Sequence, residues 1–265
     1  MGSCFRNEGI DSTHNPEFTI LELYWAYADY TDVMALTEEV YTHVAHQLLG
    51  TMKLPARTVH GEEVQIDLTR PWKRLTLHGS IRELTGVDLT PGTSRDETLA
   101  AARGLGLTDR GLEKMTAEEI TVHIFEEKVE PKLVQPTFIM DYPAVLCPLT
   151  KRHRQDPRLA ERFELFIAGM ECANAYSELS DPAYQAEQFA AQKRLALAGN
   201  EEAQPVDDDF VTALEYGLPP TGGLGFGIDR MVMLMTGAMS IRDIILFPLQ
   251  RQAAAEGATG ESEER

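Results

Sequence analysis

The chain has 265 residues and a mass of 29.5 kDa, with 43% hydrophobic and 25% charged residues, a balance suited to one globular core with room for a small insertion. Its 42 acidic against 24 basic residues leave a net charge of −18, which repels a phosphate backbone and argues against stable nucleic-acid binding by this chain alone. No apolar run reaches the roughly 18–20 residues that span a bilayer, and no charged-then-apolar signal opens the chain, so a cytoplasmic protein without membrane contact is expected.

In chain order, residues 1–31 read as a strand, a polar loop from Gly9 to Glu17 and a second strand from Phe18 to Ala26. An amphipathic helix is expected from about Asp32 to Leu49, because Val33, Leu36, Val40, Val44 and Leu48 recur at helical spacing and Gly50 stops them. A short hairpin near 57–70 and an inserted helical lobe over 71–134 follow. Strand signals return at Thr137–Pro143 and Phe163–Glu178, the second folded back at Ala168-Gly169. A polar helix over about 182–198 leads to an acidic loop holding Asp207-Asp208-Asp209. Then come a glycine-rich stretch from Gly217 to Gly227, an apolar helix through Met235 and a last strand, Asp243–Phe247. The pattern predicts an α+β fold, one domain over 1–250, with 251–265 a disordered acidic tail.

Several small signals read blandly. Cys4, Cys147 and Cys172 are scattered and predicted to be reduced thiols. His43 and His46, spaced i, i+3, belong to a helix surface rather than a metal site. Met1-Gly2-Ser3-Cys4 misses a myristoylation signal, since Arg6 stands where Ser or Thr is required.

Three constellations carry chemistry. Along the second strand, Phe18, Ile20, Glu22, Tyr24 and Ala26 share a face by parity, while Thr19, Leu21, Leu23 and Trp25 form a plain core face. A carboxylate, a phenol and an aromatic on one strand face suit ligand binding, although an amphipathic surface strand accounts for them too. Glu164 and Glu171 flank the tight reversal, and two carboxylates close together call for a cation such as Mg²⁺. Glu171 differs in parity from Asn174 and Glu178, so a bulge near Ala173–Ala175 is needed to aim all three at one ligand. A solvated acidic hairpin remains the alternative. Finally, Gly223, Gly225 and Gly227 leave one strand face bare, with Arg230 at the following helix start placed to meet a phosphate. Neither a P-loop nor a dinucleotide fingerprint is present.

Taken together, Phe5-Arg6-Asn7-Glu8 followed by His14-Asn15-Pro16-Glu17-Phe18 resembles motif 2 of class II aminoacyl-tRNA synthetases. Gly223-Leu224-Gly225-Phe226-Gly227-Ile228-Asp229-Arg230 resembles their motif 3. Glu164, Glu171, Asn174 and Glu178, with Ala26-Tyr27-Ala28-Asp29-Tyr30, are similar to the lysine-specific subgroup, and the likeness runs to about Pro248.

The resemblance implies an antiparallel synthetase-type sheet with a helical insertion, and ATP-dependent activation of lysine for transfer to tRNA(Lys). Arg6 would bind the α-phosphate of ATP and Arg230 the γ-phosphate, Phe18 would stack on adenine above Gly227 and its neighbours, and Glu8, His14 and Asn15 would hold the nucleotide. Glu22, Tyr24, Asn174 and Glu178 would form the lysine pocket, and Glu164 and Glu171 would take Mg²⁺. The tRNA acceptor end would visit this site. The chain starts directly at motif 2, so the motif 1 dimer interface and the anticodon-binding barrel of the family are expected to be missing, and Thr13 replaces an Arg common in bacterial relatives. Two alternatives accompany this reading: a paralogue lysylating a protein such as elongation factor P, and a non-catalytic module binding ATP and lysine.

Overall fold

The computed structural model describes residues 1–7, 9–58, 60–197 and 207–248; Glu8, the last residue of the expected polar helix and the expected acidic tail lie outside the described residues. The hairpin of β1 (Gly2–Phe5) and β2 (Glu17–Ala26) opens the chain. Helix α1 follows, Tyr30–Leu49, two residues longer at its start than its apolar spacing predicts. The two extra residues come from Asp29, which caps the helix while Asp32 accepts from the Asp29 amide, and Gly50 closes the far end in the left-handed region.

A small separate hairpin, β3 (Lys53–Arg57) with β4 (Glu63–Asp67), lies earlier than the expected 57–70. Residues expected to open a helical lobe instead form β5 (Lys73–Thr76), which pairs in parallel with β6 (Thr137–Met140). Lys73 and Arg74 made this stretch look helical, but an edge strand tolerates charge. The helical part begins at α2 (Leu77–Thr85) and continues through α3 (Arg95–Gly104) and α4 (Ala117–Lys128). Thr76, Ser94 and Thr116 cap these three helices in turn.

Next come β7 (Arg162–Ile167), β8 (Met170–Ser177), α5 (Pro182–Leu197), α6 (Asp208–Glu215), β9 (Thr221–Gly227) and α7 (Ile228–Thr236). The expected last strand at Asp243–Phe247 is absent: α8, a single turn over Ile241–Ile244, stands there. Its branched residues favour a strand by propensity, but Ser240 caps the turn, and the Ile241 amide donates to Ser12 O at 2.8 Å rather than to a strand neighbour.

The main sheet has seven strands in the order β1-β2-β9-β8-β7-β6-β5, antiparallel except for the β5–β6 edge. One face packs on α1 and α7 through Leu224, Phe226, Phe163 and Leu165 against Val33, Met34, Tyr41 and Leu234, all buried. Aromatic rings run through that core, Tyr41 lying 5.8 Å from Phe226 and Phe138 lying 5.0 Å from Phe163. A second core joins the helical lobe to the sheet's other face, where Phe125 meets Phe166 at 5.4 Å. That lobe covers only the β5–β7 side, leaving the β2–β9–β8 surface for a site.

The β7–β8 hairpin turns at Ala168 and Gly169, with φ of 56° and 78°, a pair of left-handed residues whose twist matches that of the flanking strands. Gly169→Ala should cost about 1–2 kcal/mol, because an L side chain is strained in that region. Chemical denaturation checks it, and an unchanged midpoint would count against a strained turn.

Candidate active site

Register sets the side chains in rows. Glu22, Gly225, Asn174 and Glu164 stand in one line across β2, β9, β8 and β7, and Tyr24, Gly223, Tyr176 and Arg162 in the next. With strands about 4.8 Å apart, Glu22 and Asn174 lie roughly 10 Å from each other at the backbone, across Gly225. Gly227, opposite Ile20, extends the bare strip. Parity therefore serves well here, and Tyr176, which shares it with Asn174 and Glu178, was legible but overlooked.

The expected bulge exists, displaced toward the turn. Leu165 faces Ala173 whereas Phe166 faces Glu171, so Cys172 stands unopposed. Cys172 and Ala173 both turn into the main core, and Glu171 returns to the side of Asn174.

At the β1–β2 end, the Arg6 guanidinium lies 5.2 Å from the Phe18 ring centre. Arg230, in the first turn of α7, donates through Nη1 to the Glu171 carbonyl at 2.5 Å and lies 3.8 Å from the Glu171 carboxylate. Its Nη2 is 3.1 Å from His14 Nε2. A guanidinium only donates, so that nitrogen accepts and the His14 proton sits on Nδ1, facing Asp11 Oδ2 at 2.8 Å. Desolvation pushes the Asp11 carboxyl up, but the Thr13 and His14 amides, each donating at 2.7 Å, and the imidazole prevail and hold it at about 2. Buried Asn15 donates to Glu17 O at 2.6 Å, and its Oδ1 has no partner among the described residues. The Thr19 amide donates to Asp229 Oδ2 at 2.5 Å, fastening α7 to β2. A cavity of about 230 Å³ opens between these groups, with Arg6, His14, Phe18, Glu171, Asn174, Gly225, Gly227 and Arg230 in its walls. Both arginines face this one cavity.

At the other end, the Glu178 carboxylate lies over Gly223, where a Cβ would overlap it. Its Oε1 is buried without a hydrogen-bond partner, and burial lifts the carboxyl from 4.5 to about 7. Burial, then Glu22 and Glu178, push the Tyr24 hydroxyl up. Tyr176 is raised by burial and then by Glu178, Tyr24 and Glu22, so these four groups share one electrostatic neighbourhood. An orphaned carboxylate oxygen with two phenols in its neighbourhood suits an ammonium.

Of the two reversal carboxylates Glu164 is the one withdrawn from solvent, whereas Glu171 keeps 41% of its side chain exposed. Glu164 is 14% exposed and accepts from Arg162 Nη2 at 2.5 Å and from the Tyr142 hydroxyl at 2.6 Å. Burial of the carboxyl, then the Glu164 charge, push Glu171 up against the pull of Arg230. Burial and these same two carboxylates raise Glu130 to about 7. Among the described residues no group of three or more His, Cys, Asp or Glu forms a ready-made metal cage. The mutual repulsion of Glu130, Glu164 and Glu171 is what a cation such as Mg²⁺ would relieve. Tyr142 and Cys147 lie outside the strands, and nothing in their spacing marks them; Arg162 shares parity with Glu164 and was legible.

A family model described as tRNA synthetases class II (D, K and N) matches residues 1–251. The chain belongs to this family. The match takes in both the β1–β2 hairpin and the β9–α7 segment, on which the sequence resemblance rested. The lysine–tRNA ligase of Nostoc sp. is 54% identical over 249 residues, covering 94% of this chain and 43% of that protein. Those of Carboxydothermus hydrogenoformans (54% identical, 93% of this chain, 49% of that protein) and Bacillus subtilis (50%, 95% and 49%) are similar too. The chain thus spans about half the length of the curated relatives it matches. Among the described residues no helix is long and apolar enough to cross a membrane.

Because Glu178 holds its proton more tightly folded than unfolded, ionising it opposes folding: the cost is absent below about pH 4.5 and complete above about 7. Glu178→Gln should therefore stabilise the ligand-free chain by about 2–3 kcal/mol at pH 8, fading to nothing near pH 4.5. Denaturant melts of both proteins across this range check it; a gain independent of pH would contradict the buried-carboxylate picture.

Proposed function

We propose that the chain forms the nucleotide- and lysine-binding centre of a cytoplasmic lysine–tRNA ligase, activating lysine with ATP to lysyl-adenylate for transfer to tRNA(Lys). One observation carries this reading: a glycine-floored cavity is shared by two guanidiniums, and farther along the same bare strand face an unpartnered Glu178 carboxylate lies over Gly223. A polyanion fits the first end and an ammonium the second. The alternative acceptor, a protein, is separated from tRNA by assaying each.

Adenine stacks on Phe18 over the bare backbone of Gly225 and Gly227, where any Cβ would lift it away. Arg6 binds the α-phosphate and Arg230 the γ-phosphate, bending the triphosphate between them. His14 and Asn15 hold the nucleotide from the loop, and Glu8 is assigned with them. Glu22, Tyr24 and Glu178 compensate the lysine ε-ammonium; a neutral or shorter side chain would leave Glu178 desolvated and unpaired, which is the basis of selectivity. Glu164 and Glu171 hold Mg²⁺, which when bound neutralises phosphate charge.

Lysine's carboxylate is already an anion, so it attacks the α-phosphorus without a general base as pyrophosphate leaves. The chain's contribution is alignment and charge: Asn174 and Glu22 fix the amino acid, and Arg6 receives the charge growing on the α-phosphoryl oxygens. A terminal ribose hydroxyl at the tRNA acceptor end then attacks the lysyl carbonyl, and AMP leaves.

Lysine-dependent exchange of pyrophosphate into ATP tests this. Glu178→Gln should raise the KM for lysine roughly 10- to 100-fold, the loss of a charge-assisted bond, with little effect on ATP. Since ammonium binding needs Glu178 ionised, kcat/KM for lysine should fall about tenfold per pH unit below about 7, a limb missing from Glu178→Gln. No exchange and no lysine binding by the wild-type chain would refute the assignment.

A further inference from the structure

Arg162 starts β7 at the inner wall of the site, and its guanidinium is spread over four groups. Nη2 donates to Glu164 Oε1 at 2.5 Å, Nε to Asn174 Oδ1 at 3.1 Å and Nη1 to Cys147 Sγ at 3.4 Å, while its central carbon lies 4.8 Å from the Tyr142 ring centre. The Tyr142 hydroxyl returns to the other oxygen of Glu164. Both Glu164 oxygens are thereby fixed by donors from two directions, and the carboxylate cannot turn without breaking one bond.

The bond to Asn174 has a consequence for chemistry. An arginine nitrogen only donates, so the Asn174 atom it meets must be the carbonyl oxygen. The amide NH₂ is then left for the cavity whose wall Asn174 forms. We infer that Arg162 is a positioning residue that locks Glu164 for the cation side and orients Asn174 so that its NH₂ donates to the α-carboxylate of lysine.

This rests on the lysine-activating function proposed above and deepens it. A single half-buried guanidinium joins the two subsites, so the nucleophile's carboxylate is aimed from the same scaffold that holds the cation-side carboxylate. A lysine side chain cannot replace it: an ammonium is a point charge that can pair with Glu164 but lacks the planar fork needed to reach Asn174 as well. Tyr142→Phe removes only the second hold on Glu164.

The test compares the wild-type chain with Arg162→Lys, Arg162→Met, Tyr142→Phe and Asn174→Asp. The readouts are lysine binding by calorimetry without nucleotide or Mg²⁺, exchange kinetics over lysine and Mg²⁺, and melting temperature. Arg162→Lys should weaken lysine binding roughly tenfold while keeping its Mg²⁺ requirement, whereas Arg162→Met should lose on both axes. Tyr142→Phe should shift the Mg²⁺ requirement alone. Asn174→Asp keeps an acceptor for Arg162 but removes the donor, and should lose lysine affinity with native melting, so the idea remains testable if the Arg162 variants fold poorly. Wild-type lysine affinity in Arg162→Lys or in Asn174→Asp overturns the inference and leaves the proposed function standing. If the wild-type chain itself neither binds lysine nor exchanges, both fall together.

Discussion

Alternate glycines on a central strand govern this molecule. Strand β9 lies between β2 and β8, where side chains normally fill the sheet surface, yet Gly223, Gly225 and Gly227 present only backbone on that face. The flanking strands then act as walls, and residues two strands apart face each other over an empty floor. The opposite face of the same strand carries Leu224 and Phe226, both buried against α1 and α7. One strand thus anchors the core with its even positions and opens the site with its odd ones. A Cβ at Gly223 would collide with Glu178, so the floor must stay bare even before any ligand arrives.

Electrostatics gives the two ends of that floor different characters. The chain is strongly acidic, and its arginines at the site are correspondingly committed: Arg230 is held by Glu171 and His14, and Arg162 by Glu164 and Asn174. Anchored guanidiniums lose little further freedom on meeting a phosphate, which favours orientation over raw affinity. At the other end an acidic group waits without an anchor. The −18 charge and the proposed phosphate-binding centre are compatible because the positive field is local and carried by few residues.

Much of this was readable from periodicity alone. The two-residue repeat placed Glu22 with Tyr24, Asn174 with Glu178, and the three glycines on one face, and register across β2, β9 and β8 brings these sets together. What periodicity could not locate was the break in its own rule. The bulge falls at Cys172 because the chain must place Cys172 and Ala173 both in the core, a packing demand invisible in a local pattern. Residues 243–247 and 73–76 were misread for a related reason. Branched residues at 243–247 look like a strand although no strand among the described residues pairs with them, and a charged tetrapeptide becomes a strand once β6 offers pairing. Tertiary context overrides propensity in both cases.

The same logic separates the carboxylates, which look interchangeable in sequence. Glu164 has donors on both oxygens, Glu171 has Arg230 beside it, and Glu178 has an oxygen buried with none. A carboxylate already surrounded by donors gains modestly from another cation and serves as a rigid fixture. One left desolvated and unpaired gains the most from a ligand that brings its own positive charge, and loses the most from a neutral impostor. On the proposed reading selectivity therefore belongs at Glu178, at the far end of the glycine floor, while Arg230, proposed for a phosphate, is already held in place. The donors around each acid, rather than residue type, set the role proposed for it.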